Sequence, residues 1–542
     1  MIYHTMRKYS LLVLLFLTTN LFSQGISPVQ QRKLVQALSA ISSMYVDTIN
    51  DTKIIESSIR GVLKDLDPHS VYTPKDEVQR MREPLEGSFD GIGVQFQILD
   101  DTIMVVQTIA GTPAEKVGVL PGDKIIYIND DLVAGSAAKV QNSDVFKRLR
   151  GKKGTEVLVK MKRGRNPELI EFKIIRDKIP IYSVDASYMA DSKTGYIKIN
   201  SFGSTTYDEF TKALAGLKKE GMKDLVLSLQ GNGGGFLGTA IQIADEFLPA
   251  NKLIVYTEGI NQPRTDAKAT VNGNYEKGRL IVLVDEYSAS ASEILSGALQ
   301  DWDRAVIVGV RTFGKGLVQR EFSLVDGSMM RLTVARYYTP TGRSIQKSYK
   351  NGTESYYKEL ADRYRNGELM HVDSIHFPDS LTYKTLVNAR TVYGGGGIMP
   401  DIFVPVDTTE YSDLHRSMVA KGVISRTAVE YLNSHREELK QMYPAFAKFK
   451  KQFETGDDFL KLLLSEAEKE KIKYDDVQFN RSKRLIKLQL KALVARDLWN
   501  VNEYYQVLDS ENESLQKALE ILNTPGSYDR ILTSSKLYTQ QK

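Results

Sequence analysis

One stretch limits what this chain can fold into more than any other: Ser288-Ala289-Ser290-Ala291-Ser292-Glu293-Ile294-Leu295, entered from Leu280-Ile281-Val282-Leu283-Val284. An unbroken apolar run of that length reads as a strand buried on both faces. Past the serines, Ile294, Leu295, Ala298 and Leu299 recur at helical spacing. The serines therefore occupy a turn from a buried strand into a helix. A hydroxyl at that point meets the unpaired N–H groups and positive dipole end of the helix, which favour a developing negative charge. The same letters also have a local structural meaning, because Ser290-x-x-Glu293 is a capping-box pattern. Spacing alone does not choose among Ser288, Ser290 and Ser292.

Two neighbouring segments give the stretch chemical company. Ala305-Val306-Ile307-Val308 predicts a second buried strand, and Phe313-Gly314-Lys315-Gly316 follows it. A lysine between two glycines can be packed closely and desolvated; its pKa then falls, and the neutral amine can take a proton from serine. Gly231-Asn232-Gly233-Gly234-Gly235 follows Leu225-Val226-Leu227-Ser228-Leu229. Glycines after a strand leave backbone N–H groups able to point at an oxyanion. A serine, a lysine and a donor loop, each at a strand end, describe a serine–lysine hydrolase site.

At these residues the sequence resembles the C-terminal processing peptidases, or tail-specific proteases, serine peptidase family S41. The match takes in Ser288 to Glu293 with Gly297-Ala298-Leu299-Gln300-Asp301, Thr312 to Gln319, Leu332 to Ile345, and Gly396-Gly397-Ile398-Met399-Pro400-Asp401. The resemblance implies Ser290 as nucleophile, Lys315 as general base and Gln319 as the residue that orients the lysine by a hydrogen bond. It implies an oxyanion hole made by the N–H of Ala291 and one from Gly233 or Gly234. It also implies a crotonase-like spiral of ββα units for the protease core, and no cofactor. Ser228 and Gln230 stand where the family usually carries Asp and Arg, which puts the bracing of the glycine loop in question.

At 542 residues the chain has room for several domains. Arg7-Lys8 followed by the apolar run Leu11 to Leu17 and polar Thr18-Thr19-Asn20 reads as a secretory signal peptide over residues 1–24. The mature protein is then exported, most naturally to a periplasm, with no stable membrane insertion. There is no cysteine, which excludes disulfides, a lipoprotein anchor, a thiol nucleophile and a thiolate metal site. A net charge of +5, part of it from Arg7 and Lys8, gives no reason to expect nucleic acid as a partner.

Taken in order, Ser27-Pro28 starts a helix, and residues 26–86 read as a small helical domain suited to dimerising or capping the protein. Residues 88–179 carry short apolar runs between glycine turns. Gly91-Ile92-Gly93-Val94 with Leu120-Pro121-Gly122-Asp123 resembles a PDZ domain. By that resemblance Ile92, Gly93 and Val94, entered from Gly91, form the N–H nest that captures a C-terminal carboxylate. Strands and helices alternate through the protease core, residues 180–344 and 393–407, interrupted by a polar, tyrosine-rich insertion at 345–392. Residues 408–542 predict a helical region, with Ile486, Leu490, Leu493, Val494 and Leu498 as one stripe. His371-x-Asp373-x-x-His376 is the one histidine pair at ligand-like spacing, with no helix to hold it, and no metal is expected. The fold class is thus multidomain α/β, and the implied partners are protein or peptide substrates with free C-termini, a homo-oligomer being compatible. A PDZ-bearing scaffold or chaperone on an inactive protease core is the alternative from another class, and an enzyme of the crotonase type acting on thioesters a third; intact Ser290, Lys315 and Gln319 argue against the scaffold, and the PDZ segment and export signal against the thioester chemistry.

Overall fold

A computed structural model describes residues 25–534 apart from 100, 137, 165, 271 and 272. The expected signal peptide lies outside the described residues. The chain divides after Leu66 into two compact units. The first contains helices α1 (Pro28–Met44), capped by Ser27 with Pro28 in its first turn, and α2 (Asp51–Leu66). Leu34 and Ile41 of α1 are exposed.

The second unit begins at Asp67, earlier than the boundary expected at residue 86, for a clear reason. Strand β1 (Val71–Thr73) pairs antiparallel with a strand of the protease core. The Asp67 carboxylate accepts from the His69 and Ser70 N–H groups, and from the Thr333 hydroxyl at 3.0 Å. Residues 67–73 are thereby part of the second unit.

A six-stranded antiparallel sheet over residues 94–175 follows, closed around Ile92, Ile103, Val105, Ile125, Val145, Val157 and Val159. Its outermost strand is β2 (Val94–Leu99), and helix α3 (Asn142–Leu149) lies beside that strand, Phe96 meeting Phe146 at a ring distance of 5.3 Å.

The core sheet runs β3 (Val184–Met189), β4 (Thr194–Ile199), β5 (Asp224–Ser228), β6 (Leu280–Val284), β7 (Val306–Gly309) and, at the far edge, Ile402–Phe403. All its pairings are parallel except β3 with β4. Strands of such a sheet are covered on both faces, which is why they are apolar throughout. Leu225, Leu227, Val282 and Val284 face helices 206–219 and 237–245 and helix α4 (Ala291–Asp301). Val226, Ile281, Leu283, Val306 and Val308 face the opposite way, onto Leu515, Ala518, Ile521 and Tyr528 of helices α8 (Glu513–Asn523) and α9 (Ser527–Thr533). Each fully buried aliphatic side chain contributes about 1.5–3 kcal/mol, so both helical layers are integral to the sheet.

A second sheet joins β8 (Leu317–Ser323) and β9 (Met329–Tyr338) to β1 and to the hairpin 253–268. The expected insertion contains helix α5 (Gly352–Arg365). Downstream, helices including α6 (Val423–Met442) and α7 (Asp476–Leu498) pack around Leu432, Phe449, Phe459, Leu463, Ile486 and Leu490.

Candidate active site

The turn between β6 and α4 separates the three serines. Ser288 Oγ donates to Leu229 O at 2.8 Å and lies 3.0 Å from an Asp285 carboxylate oxygen, fully buried. Ser292 Oγ donates to Asn232 O at 2.9 Å. Both are structural hydroxyls that tie the turn to the glycine loop. Ser290 is different. Its hydroxyl donates to no group among the described residues, and its backbone, at the start of a capping box with Glu293, sits at φ 55°, ψ −110°. A positive φ at a residue with a side chain costs about 1–3 kcal/mol and persists only where the surroundings impose it.

Those surroundings are two buried groups. The Glu293 carboxylate accepts the Ser290 N–H at 2.8 Å and the Lys315 N–H at 2.9 Å on one oxygen. Its other oxygen accepts the Thr312 hydroxyl at 2.6 Å and the Gly314 N–H at 2.8 Å. Tyr337 closes the opposite side, its hydroxyl donating to Lys315 O at 2.6 Å and lying 3.0 Å from Ser290 O. Ser290 and Lys315 are thus joined through their main chains, amide to amide and carbonyl to carbonyl. Read from sequence, Glu293 was a helix cap; the structure makes it the link between two segments. Burial pushes its carboxyl up to about 7, against the pull of the four donors.

Lys315 is largely buried in its loop and its ammonium is lowered to about 8, by desolvation first and then by the positive charge of Arg331, with Glu293 and Asp67 opposing. Its Nζ makes no hydrogen bond among the described residues. Gln319, expected to orient it, does not reach it here. A register shift between Val318 and Gln319 in the β8–β9 pairing accompanies a different placement, and the amide donates to Leu317 O at 3.3 Å and Thr333 Oγ1 at 3.4 Å.

The glycine loop lies against the serine. A Cβ on Gly234, at φ 102°, would lie 2.8 Å from Ser290 Cβ and 3.0 Å from Ala291 N, so only glycine permits this approach. The Gly234 N–H is spent on Asn232 Oδ1 at 2.8 Å. The N–H groups of Gly233 and Ala291 have no acceptor among the described residues. Of the two glycines offered as oxyanion donors, Gly233 is the available one. Gln230, which precedes the loop, accepts from Asn512 Nδ2 at 2.8 Å, and this contact braces a position where an arginine was expected.

The insertion supplies the remaining support. Arg363 of α5 is buried and donates to Thr312 O at 2.7 Å and Phe313 O at 3.2 Å, while Glu359 holds its Nε at 2.5 Å. Lys347 bonds Glu359 at 2.8 Å and covers the Phe313 ring at 3.9 Å. Tyr356 contacts His69, Oη to Nε2 at 2.8 Å. Burial, then the charge of Lys315, lowers His69 to about 4, so the imidazole beside the site is neutral. Sequence reasoning missed Tyr337, Arg363 and His69 as neighbours of the base because each reaches it from a distant segment.

In the PDZ-like sheet Gly93 takes φ 86°. The N–H groups of Ile92 and Gly93 have no acceptor among the described residues, an arrangement suited to an anion. Gly91 and Val94 flank them at strand ends. A cleft of about 730 Å³ is lined by Phe89, Asp90, Arg150, Ser204 and Phe236. No group of side chains among the described residues could hold a metal ion, and none of the described helices is long and apolar enough to cross a membrane.

Comparison with known proteins places these segments. The model of peptidase family S41 matches residues 193–355, that of the PDZ domain residues 91–174, and that of the activating protease CtpB N-terminal domain residues 19–77. Residues 414–500 match a family of unknown function. The chain is 37% identical over 316 residues to the carboxy-terminal processing protease CtpA of Bacillus subtilis (strain 168), covering 58% of this chain and 66% of that protein. It is 36% identical over 319 residues to the carboxy-terminal processing protease CtpB of the same organism, covering 58% and 65%. Among solved structures, the photosystem II D1 C-terminal processing protease aligns at 29% identity and a TM-score of 0.33, over 59% of this chain and 91% of that one. The chain thus spans just under two thirds of the length of these curated relatives.

Proposed function

We propose, from the premise that the chain belongs to peptidase family S41 and carries a PDZ domain, that it is an exported serine endopeptidase of the C-terminal processing type. The observation that carries this reading is the main-chain linkage of Ser290 to Lys315 through Glu293 and Tyr337. It ties the main chain of Ser290 to that of Lys315, whose amine is lowered to about 8.

Ser290 Oγ attacks the peptide carbonyl as neutral Lys315 Nζ takes its proton. The oxyanion that forms is stabilised by the Ala291 and Gly233 N–H groups, fixed in place before the reaction. The ammonium of Lys315 then returns the proton to the leaving amine, and a water activated by the same amine hydrolyses the acyl-enzyme. The Ile92–Gly93 nest receives the free C-terminus of the substrate, its N–H groups forming charge-assisted bonds that an amidated end would not make. The Arg7-Lys8 and Leu11 to Leu17 pattern supports export, and the absence of cysteine suits a periplasm.

The test is cleavage of an unfolded protein by Ser290→Ala, Lys315→Ala and the double variant. Each single variant is expected to lose nearly all turnover while remaining folded, and the double to lose no more, because the residues act as one unit. Full activity in Lys315→Ala refutes the mechanism.

A further inference from the structure

The helical region downstream of the protease core approaches the PDZ domain at one place, and that place is the far end of the peptide groove. Met104 of the PDZ sheet and Val429 of α6 are buried against each other. At the turn entering α6, a Cβ on Gly422 would lie 2.1 Å from Gln97 Nε2. Between the two parts lies a cavity of about 620 Å³. Phe96, Gln97 and Ile98 of β2 and Asn142 of α3 line one side, Lys421 and Glu470 the other.

The strand geometry says which residue of a bound peptide meets this wall. β2 is the outermost strand of its sheet, so a peptide adds along it antiparallel, with its carboxylate at the Ile92–Gly93 nest. Its last residue then stands opposite Val94, and the fourth from its end opposite Gln97. Directly opposed residues project to the same face. Phe96 and Ile98 pack toward the domain core, so Gln97 and the fourth residue turn the other way, toward Gly422 and Lys421.

The chemistry at that wall is uneven. Glu470 is already engaged by Arg426 at 2.8 Å. Lys421 Nζ donates to the Glu470 main-chain carbonyl at 2.7 Å and has no carboxylate partner among the described residues. It keeps two N–H donors and an uncompensated charge beside the groove.

We propose that residues 414–500 form the far wall of the PDZ groove and that Lys421 selects an acidic residue near the fourth position from the substrate's C-terminus. The proposal rests on the reading of the PDZ domain as a peptide-capturing module. It gives a role in substrate choice to a region otherwise without one.

The full chain carrying Ser290→Ala, which cannot consume its ligand, is titrated by fluorescence anisotropy with two labelled peptides ending in a free valine. They differ only in Glu or Lys at the fourth residue from the end. The Glu peptide is expected to bind about two- to fivefold more tightly at low salt, the size of one exposed ion pair. The order should reverse in Lys421→Glu and stay unchanged in Lys440→Glu, a charge change at the other end of α6. A Glu:Lys ratio that does not move in Lys421→Glu, or that moves equally in Lys440→Glu, overturns the inference and leaves peptide capture standing. If neither peptide binds, or their amides bind as well as the acids, the capture reading itself falls and this inference with it.

Discussion

Replacing Glu293 by glutamine keeps the shape of the side chain and removes one acceptor from a site where every neighbour is a donor. The two carboxylate oxygens receive three N–H groups and one hydroxyl. If the new amide NH₂ faces Ser290 and Lys315, two N–H groups are left opposed to a donor. If it faces Thr312 and Gly314, the Thr312 hydroxyl can rotate to accept, though its oxygen already receives the Ile398 N–H at 2.6 Å. The second arrangement is better and leaves the Gly314 N–H orphaned, at about 1–3 kcal/mol. The Ser290 and Lys315 bonds also lose their charge assistance, about 1 kcal/mol each. Relief of a buried charge offsets part of this, so a net loss of about 2–3 kcal/mol is expected. If the whole of that loss falls on the transition state through a displaced Ser290–Lys315 pair, kcat/KM in Glu293→Gln falls about 30- to 150-fold, at about 1.4 kcal/mol per tenfold. The assay is cleavage of an internally quenched peptide at pH 8.5, where Glu293 is ionised in the parent, with circular dichroism to confirm that the variant is folded. A folded variant with kcat/KM within twofold of the parent would refute the view that Glu293 sets the geometry of the pair.

The pH dependence follows from the base. Lys315 must be neutral to accept the proton of Ser290, so kcat/KM should rise with pH through about 8, and steepen below about 7, where Glu293 takes up its own proton; a profile flat from pH 7 to 9 on a non-titrating substrate contradicts this. Arg363→Ala removes both bonds from α5 to the Thr312 and Phe313 carbonyls and is expected to lower kcat at least tenfold with little change in KM and a shifted pH midpoint. Arg363→Lys should recover part of the loss, and an unchanged kcat and midpoint in Arg363→Ala would show that α5 merely covers the loop.

What the sequence disclosed and what it hid divide along a physical line. Buried parallel strands are apolar throughout, so Leu225 to Leu229 and Leu280 to Val284 could be read directly. The choice among Ser288, Ser290 and Ser292 could not be read from spacing, since all three are small polar residues in one turn. It depends on which hydroxyl finds Leu229 O or Asn232 O, and those carbonyls lie 59 and 60 residues away. Glu293 showed only its local partner, Ser290; the Thr312, Gly314 and Lys315 donors come from 19 to 22 residues downstream. The insertion was visible as a change of composition, but nothing local marks Arg363, whose partners include the distant Thr312 and Phe313 carbonyls. The division after Leu66 was hidden for the same reason: Asp67 and Ser70 are polar residues in a turn, and their contacts with Thr333, with the pairing of β1, tie them to the second unit.

The Tyr528 hydroxyl accepts the Leu280 N–H at 3.1 Å and lies 3.2 Å from both Leu280 O and Arg304 O. It therefore pins the starts of the strand that leads to Ser290 and of its neighbour. Yet it is made 248 residues after Leu280. The second face of the strand before Ser290 is thus covered by helices from the far end of the described chain, and the layer is complete only with α8 and α9. A chain cut short before α8 would keep Ser290 and Lys315 but lack the layer that covers Val226, Ile281, Leu283, Val306 and Val308.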